Sequence, residues 1–185
     1  MSDRTKAIVV GVGPAAGLGG ALCARLAREG LHVFVAGRSL DKLEELAHTM
    51  RNVGGRATAV RTDTTKERDV VALFDRAETE GDGDLDLVIY NAGNAAMGPL
   101  HEMEATFFED VWRVGCFGGF LVGREAVRRM LPRGRGAVLF TGATASLRGK
   151  PNTTAFAAAK AALRSLAQSM ARAYDPRGIH VGHVV

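Results

Sequence analysis

A glycine-rich segment between an apolar strand and an amphipathic helix constrains this chain more than any other feature. The run from Ala7 to Val10 is short, apolar and β-branched, as in a buried parallel strand. It leads into the glycine-rich segment 11–20 and then into a helical pattern. Glycines in such a turn let the backbone approach a pyrophosphate, and the free N–H groups of the next helix bind that anion. The order of strand, turn and helix therefore predicts a dinucleotide site.

The spacing of these glycines fits two patterns. Counted from Gly11, it is the general dinucleotide pattern Gly-x-Gly-x-x-Ala, which ends at Ala16. Counted from Gly13, it is Gly-x-x-x-Gly-x-Gly. A structural loop before a helix can show the same glycines, so the motif needs support from elsewhere in the chain. The residues of this turn that we expect to contact a cofactor are Gly13, Ala16, Gly17 and Leu18.

Size and composition are those of one globular domain spanning residues 1–185. The chain is 46% hydrophobic and 24% charged, which allows a sizeable core. Its start lacks the pattern of a signal peptide and no apolar run has the length of a membrane span, so we expect a cytoplasmic protein without membrane contact. Cys23 and Cys116 are far apart and lack metal-ligand spacing, so we expect buried cysteines and no metal.

The net charge of +4 raises the question of nucleic-acid binding. The densest basic segment, residues 124–135, falls at the end of a predicted helix and in the loop after it, where cations complement the helix dipole. Aromatic side chains are not interleaved with these arginines. We therefore expect no nucleic-acid partner.

The rest of the chain alternates short apolar runs with amphipathic helical patterns. Runs typical of buried strands occupy residues 31–36, 57–61, 85–90, 137–141 and 179–185. Helical patterns lie between them, including one long helix predicted from Ala105 to Met130 and a last helix from Thr153 to Tyr174. This alternation predicts an α/β fold, a Rossmann-like doubly wound parallel sheet of six strands.

Local patterns also predict helix starts and core residues. Ser39 is expected to cap the second helix, and Thr64 with Glu67 has the form of a capping box for the third. In the long helix, Phe107 and Phe108 are among the residues expected to face the core.

The end of the second predicted strand bears on cofactor choice. An acidic side chain here would bind the ribose 2′-hydroxyl of NAD(H), but this chain has Arg38. A guanidinium would pair with a 2′-phosphate, so NADP(H) is favoured over NAD(H). The alternative is a solvent-facing arginine in a loop.

Two further segments strengthen the dinucleotide interpretation. Asp63 follows the third predicted strand, and the fourth runs into the tripeptide Asn91-Ala92-Gly93. With the glycine turn, this tripeptide resembles the short-chain dehydrogenase/reductase family over essentially the whole chain, although the family usually has a threonine at the position of Val12. The resemblance implies cofactor contacts, and we expect them from Asp63, Thr64, Asn91, Ala92, Gly93, Thr141 and Lys160.

The same resemblance locates the catalytic positions, of which three are altered. The family motif Tyr-x-x-x-Lys is here Phe156 to Lys160, so the residue that would exchange a proton has none to give. The lysine, which binds the nicotinamide ribose in the family, is kept. The family's serine falls at Ala143, beside Thr144, and its asparagine falls at Gly115. The pattern resembles an atypical subgroup with phenylalanine in place of the tyrosine.

Two functions follow as hypotheses. The first is an NADP(H)-dependent oxidoreductase of the short-chain family that acts on a small carbonyl or alcohol substrate. In it Lys160, Thr144 or a water replaces the tyrosine in proton transfer. The alternative is a catalytically silent NAD(P)-binding sensor or partner subunit.

The resemblance also raises expectations about the chain end and about assembly. Family members continue past the sixth strand through a substrate-covering segment and a seventh strand, so we expect Val185 to end a C-terminally shortened product or an incomplete sequence, unless another chain covers that edge. The family pairs subunits through the long and last helices, which makes a homodimer or homotetramer an expectation. The five histidines are scattered, and His101, the one nearest the predicted site, is interpreted as solvated.

Overall fold

A parallel β-sheet forms the centre of the molecule. The structure is a computed structural model that describes residues 5–93 and 95–185. Within these residues six strands pair in parallel in the order β3-β2-β1-β4-β5-β6. The strands are β1 (Thr5–Val10), β2 (His32–Gly37), β3 (Arg56–Arg61), β4 (Asp84–Tyr90), β5 (Gly136–Thr141) and β6 (Ile179–Val184). The predicted Rossmann-like doubly wound sheet is confirmed.

Helices cover both faces of this sheet. They are α1 (Leu18–Arg28), α2 (Leu40–Asn52), α3 (Glu67–Thr79), α4 (Ala105–Trp112), α5 (Gly118–Met130) and α6 (Thr154–Tyr174). Because strand side chains alternate between faces, Ile8 and Val10 pack into the core beneath α3, α5 and α6, while Val9 packs into the core beneath α1 and α2. In the described part of the chain, no helix combines the length and hydrophobicity needed to cross a bilayer.

The strand order reverses between β1 and β4. In register, Val10 of β1 lies opposite Tyr90 of β4 on one side and Ala36 of β2 on the other. The chains leaving β1 and β4 turn to opposite faces of the sheet, which opens a crevice at the carboxyl ends of these strands. Both the glycine turn and the tripeptide Asn91-Ala92-Gly93 begin at this crevice.

The long helix predicted over residues 105–130 differs from the structure in one respect. Between α4 and α5 the chain forms a π-helical turn, Arg113–Phe117.

The prediction that Phe107 and Phe108 face the core is wrong, because they are 39% and 37% exposed. Helix α4 packs mainly on α6 and the π turn, through a narrow face centred on Val111, and it leaves the neighbouring phenyl rings at the rim.

Of the two predicted helix caps, the one at Ser39 is correct in position and the one at Thr64 is wrong. Helix α3 starts at Glu67 with Lys66 at its N-cap, and Thr64 is buried with its hydroxyl 3.5 Å from that of Tyr90. Asp63 instead organises this segment, since its carboxylate accepts hydrogen bonds from the backbone and hydroxyl of Thr65. Ser39 occupies the N-cap position of α2 but makes no side-chain capping bond.

Candidate cofactor site and catalytic positions

A cleft opens at the crevice between β1 and β4. Loops after four strands and the π turn contribute to it. Its lining residues are Gly11, Val12, Gly13, Gly37, Arg38, Thr62, Asp63, Thr64, Ala92, Gly93 and Val114. The structure thus brings together six residues that were predicted to bind a cofactor, namely Gly13, Arg38, Asp63, Thr64, Ala92 and Gly93. Val12, Gly37, Thr62 and Val114 also line the cleft but were not predicted to contact a cofactor.

The two glycines at the start of the turn have different roles. Gly11 has a φ of +83°, and a Cβ there would overlap the backbone of Ala92, so the fold itself requires this glycine. Gly13 has no atom within 4 Å of the position that a Cβ would take. Packing therefore does not explain Gly13, whereas a ligand that must lie close to the backbone would.

The start of α1 borders the cleft. Gly17 is the N-cap, and no side chain caps the helix, so its first N–H groups are available to an anion. Ala16 and Leu18 are exposed, Leu18 at 56%, and neither is in the cleft wall. The structure thus places Ala16, Gly17 and Leu18 around the helix start rather than within the cleft lining.

Arg38 follows β2 and is exposed at the cleft. Its guanidinium forms no hydrogen bond or ion pair with any residue in the ranges 5–93 and 95–185. A planar cation with five free donors matches a phosphate well.

Asp63 is part of the cleft wall and is held in one orientation. Besides its hydrogen bonds from Thr65, its carboxylate lies 3.5 Å from the amine of Lys66. Partial burial acts to raise the pKa of Asp63, but the hydrogen bonds from Thr65 and the charge of Lys66 outweigh it, and the pKa is lowered. Asp63 is therefore an ionised acceptor at this end of the cleft.

Asn91 supports the glycine turn from below. Its side-chain amide donates to the carbonyl of Gly11 at 3.2 Å, and its backbone N–H donates to the carbonyl of Val10 at 2.8 Å. Asn91 thereby ties the end of β4 to the turn after β1, while the next residue, Ala92, lines the cleft.

Lys160 lies beside the inner wall of the cleft. Its side chain is 5% exposed, and Nζ donates to the carbonyl of Thr141 at 2.6 Å. The same nitrogen is 3.4 Å from the position of a Cβ on Gly93 and 6.0 Å from the ring centroid of Phe156. Burial lowers the pKa of Lys160. Lys160, Thr141 and Gly93 are thus close together, and Phe156 shares the lysine's helix face.

The serine position and its neighbour lie after β5. Ala143 precedes a short 3-10 turn, Thr144–Ser146, in which Thr144 is exposed and Ser146 is buried. The hydroxyl of Ser146 accepts the N–H of Ala143 at 3.1 Å and lies 3.4 Å from Nε2 of His183. Burial, and then the charges of Lys160 and Arg164, lower the pKa of His183.

The asparagine position lies in the π turn. A Cβ on Gly115 would lie 2.7 Å from the Cβ of Ala159 on α6. The preceding residue, Val114, accepts a hydrogen bond from the hydroxyl of Tyr90, and burial raises the pKa of Tyr90. Tyr90 thus anchors the π turn beneath the cleft, a role that no local sequence signal indicates.

The remaining candidates lie outside this arrangement. His101 sits in a short 3-10 turn with its side chain 80% exposed. Cys23 and Cys116 are buried free cysteines. Across residues 5–93 and 95–185, no three His, Cys, Asp or Glu side chains are grouped so that they could hold a metal ion.

The residues of the cleft fit a nicotinamide dinucleotide. Gly13 leaves room at the turn, the uncapped start of α1 can bind a pyrophosphate, and Arg38 can bind a phosphate on the ribose. At the other end, Lys160 can bind a ribose hydroxyl beside Gly93. Four residues before this lysine the chain has Phe156, whose side chain has no hydroxyl.

Comparison with known proteins agrees with the resemblance to the short-chain dehydrogenase/reductase family. The family model described as short chain dehydrogenase matches residues 6–185. Cis-4-hydroxycyclohexanecarboxylate dehydrogenase of Sinomonas cyclohexanicum is 36% identical over 178 residues, which cover 96% of this chain and 71% of that protein.

Two solved structures are similar throughout this chain. A short-chain dehydrogenase from Rhodopseudomonas palustris has a TM-score of 0.90 and 38% identity, and the match covers 99% of this chain and 84% of that one. A 7α-hydroxysteroid dehydrogenase in complex with NADH and 7-oxo glycochenodeoxycholic acid has a TM-score of 0.90 and 27% identity, with coverage of 98% and 69%.

Proposed function

This chain belongs to the short-chain dehydrogenase family, and we propose that it is an NADP(H)-dependent oxidoreductase that acts on a small alcohol or its carbonyl counterpart. The observation that carries the proposal is the cleft itself. Arg38 in its wall is a cation that pairs with none of the described residues, and the buried amine of Lys160 lies beside Gly93 at its inner wall. A nicotinamide dinucleotide supplies the hydride chemistry when it is bound.

The proposed cofactor contacts follow the geometry of the cleft. Gly13 and the N–H groups at the start of α1 bind the pyrophosphate, with Ala16, Gly17 and Leu18 around it. Arg38 binds the 2′-phosphate, which is the basis for preferring NADP(H). Asp63 and Thr64 border the adenine, and Ala92, Gly93, Thr141 and Lys160 surround the nicotinamide ribose, with Asn91 supporting the turn.

The catalytic positions support assignment to an atypical subgroup. Phe156, Ala143 and Gly115 lack the side chains that exchange the proton, orient the carbonyl and support the relay water in the family. Loss of one proton-transfer group lowers a rate by about 10²–10⁴. We therefore expect slow turnover, fastest with activated carbonyls whose oxygen needs least help from a proton donor.

Residues 1–185 are proposed to form one NAD(P)-binding domain that assembles into a homodimer or homotetramer. Helices α4 and α5 with the π turn expose the aromatic rings of Phe107, Phe108, Trp112 and Phe120. Arg113 and Arg124 lie over Phe117 and Phe120 at 5.2 Å from the ring centroids. An aromatic surface bordered by cations suits pairing with a second copy. Light scattering coupled to size exclusion tests this assembly.

Fluorescence titration with NADPH and with NADH, followed by a panel of carbonyls and alcohols, tests the function. We expect NADPH to bind more tightly than NADH and slow hydride transfer to at least one activated carbonyl. Binding without any turnover would instead favour the silent sensor or partner subunit. Failure to bind either nucleotide would overturn the oxidoreductase function for this chain.

A further inference from the structure

Lys160 is a buried cation with almost no protein partner. Its side chain is 5% exposed, and the hydrogen bond to the carbonyl of Thr141 uses one of three N–H donors. Within residues 5–93 and 95–185, Nζ forms no other hydrogen bond and no carboxylate pairs with it. A structural lysine at such depth is normally paired, because burial of an unpaired charge is costly.

The surroundings of this amine make its charged form less favourable than it is for a lysine in water. On α6 its neighbours are Phe156 and the buried Ala159, and across the cleft wall it faces Gly93, which has no side chain. From β6 the imidazole of His183 interacts with it electrostatically, and Arg164 of α6 acts on the same imidazole. None of these groups offsets the cost of the buried charge, and burial lowers the pKa of Lys160.

The nearby hydroxyl groups are less suited to proton transfer. Thr144 is exposed to solvent on its short turn, and an alcohol hydroxyl is a much weaker base than an amine. Tyr90 is fully buried and donates to the carbonyl of Val114 beneath the cleft. Ser146 is engaged by the N–H of Ala143 and by His183. The amine of Lys160 is therefore the best-placed group at the inner wall for taking up a proton.

We propose that Lys160 is itself the catalytic base, and that its neutral amine accepts the substrate proton directly in the absence of a tyrosine. This assignment rests on the proposed oxidoreductase function. In alcohol oxidation the O–H bond breaks and its proton forms a new N–H bond on Nζ. An oxidised nicotinamide cofactor, when bound, would take the hydride from the same carbon, which would leave a carbonyl. Carbonyl reduction is the reverse, with the ammonium as proton donor.

Phe156 takes part in this arrangement as a positioning residue. The phenyl ring, whose centroid is 6.0 Å from Nζ, offers this amine no hydrogen-bond acceptor, whereas a tyrosine hydroxyl in these surroundings would stabilise the ammonium. The bare phenyl ring leaves the amine desolvated. Phenylalanine at this position is therefore compatible with a lysine that works as the base.

Replacement of Lys160 by arginine separates proton transfer from cofactor binding. A guanidinium keeps the positive charge and donors for a ribose but is not deprotonated in proteins. We expect Lys160→Arg to keep NADPH affinity within a few-fold and to lose roughly 10²–10⁴ in kcat. Lys150→Arg, an exposed lysine in the preceding loop, is the matched control and should equal wild type in both.

A readout independent of turnover is the titration of the Lys160 amine, followed by NMR of the ¹⁵N-labelled chain without cofactor. We expect one lysine signal, absent in Lys160→Arg, to titrate below the ordinary value of about 10.4. The rising limb of kcat/KM for alcohol oxidation should have the same pKa. In Phe156→Tyr the signal should shift to higher pH.

The outcomes distinguish this inference from the proposed function. If wild type turns over and Lys160→Arg has the same rate and pH profile, the base is another group and the inference is overturned, while the function stands. An ordinary pKa for Lys160 overturns it as well. If wild type binds NADPH but transfers no hydride to any substrate, the proposed function and this inference both fail.

Discussion

Gly115 and Ala159 approach each other more closely than two side chains allow. A Cβ built on Gly115 lies 2.7 Å from the Cβ of Ala159, so the π turn and α6 touch at a glycine. Gly115 is the residue to which the sequence resemblance assigns the family's asparagine. The packing of the π turn against α6 therefore requires a residue without a side chain at position 115. An asparagine would fit there only if one of the two segments moved.

The first prediction tests this contact. Gly115→Asn should lower the free energy of unfolding by about 1–3 kcal/mol, because overpacking forces the two helical segments apart. The double variant Gly115→Asn with Ala159→Gly should recover most of that loss, apart from about 1 kcal/mol for glycine within a helix. Urea denaturation measures both. Gly149→Asn, in a loop with open space at the Cβ position, is the control and should be neutral.

The second prediction separates the two glycines that begin the nucleotide turn. Gly11→Ala should severely destabilise the fold, because the new methyl group overlaps the backbone of Ala92 at a positive φ. Gly13→Ala should leave the melting temperature nearly unchanged and weaken NADPH binding. Thermal denaturation and fluorescence titration of both variants check this contrast. Full NADPH affinity in Gly13→Ala would mean that the dinucleotide does not pass close to this residue.

The third prediction concerns the unpaired guanidinium of Arg38. Its hydrogen bonds to a charged phosphate are worth about 1.5–3 kcal/mol, so Arg38→Ala should weaken NADPH binding roughly 10- to 150-fold. NADH binding should change little. Arg28→Ala, at the far end of α1, should affect neither nucleotide. Equal losses for NADPH and NADH would show that Arg38 does not recognise the 2′-phosphate.

The fourth prediction concerns a double variant that introduces the two hydroxyl groups expected from the family resemblance. Phe156→Tyr with Ala143→Ser should raise kcat for carbonyl reduction by about 10²–10⁴, because a phenol beside Lys160 becomes the proton donor. Phe108→Tyr, an exposed phenylalanine on α4, is the matched control. Steady-state kinetics with NADPH measures the gain. A double variant no faster than wild type would rule out a simple loss of two residues as the cause of slow turnover.

The fifth prediction is a pH dependence of stability from His183. Its pKa is lowered in the folded state by burial, by Lys160 and by Arg164, whereas the unfolded value is about 6.5. The neutral imidazole of His183 therefore contributes its full stabilisation to the free energy of unfolding above about pH 6.5. That stabilisation is lost as the pH falls from there through the lower pKa of the folded state. Relative to His183→Gln, wild type should lose stability between pH 8 and pH 5, as measured by urea denaturation across pH.

His101→Gln is the control for this titration, because that side chain is 80% exposed. The partly buried His32 titrates in both wild type and variant, so its effect cancels in the difference. A constant difference between wild type and His183→Gln across this pH range would contradict the lowered pKa.

Local patterns account for most of the fold. The buried strands are runs of apolar residues, as in Ala7–Val10, and glycines such as Gly30 with a φ of +86° mark where helices end. The glycine turn was predictable because it depends on local properties of two residues. Gly11 adopts a positive φ, and Gly13 leaves open space beside the backbone. That Arg38 and Asp63 lie close together in the cleft wall was predictable, because parallel strands bring their carboxyl ends to one edge of the sheet.

Contacts between distant segments account for what the sequence could not predict. The helical period runs on through residues 113–117, so nothing local marks the π turn, which is held by Tyr90 from another strand. Tyr90 also lies against Thr64, which therefore does not cap α3. Ser146 and His183 are 37 residues apart and meet only because β5 and β6 pair.

The central position of β1 has a consequence for synthesis of the chain. Strand β1 is complete at Val10, but β4, its partner on one edge, ends only at Tyr90. At about 5–20 residues per second, the ribosome takes roughly 4–16 s to make the intervening segment. Throughout that interval the nascent β1 has an unpaired edge, and the turn at Gly11 lacks Ala92 beneath it. The emerging protein therefore cannot complete either the β1–β4 pair or the contact between Gly11 and Ala92 before residue 92 has been made.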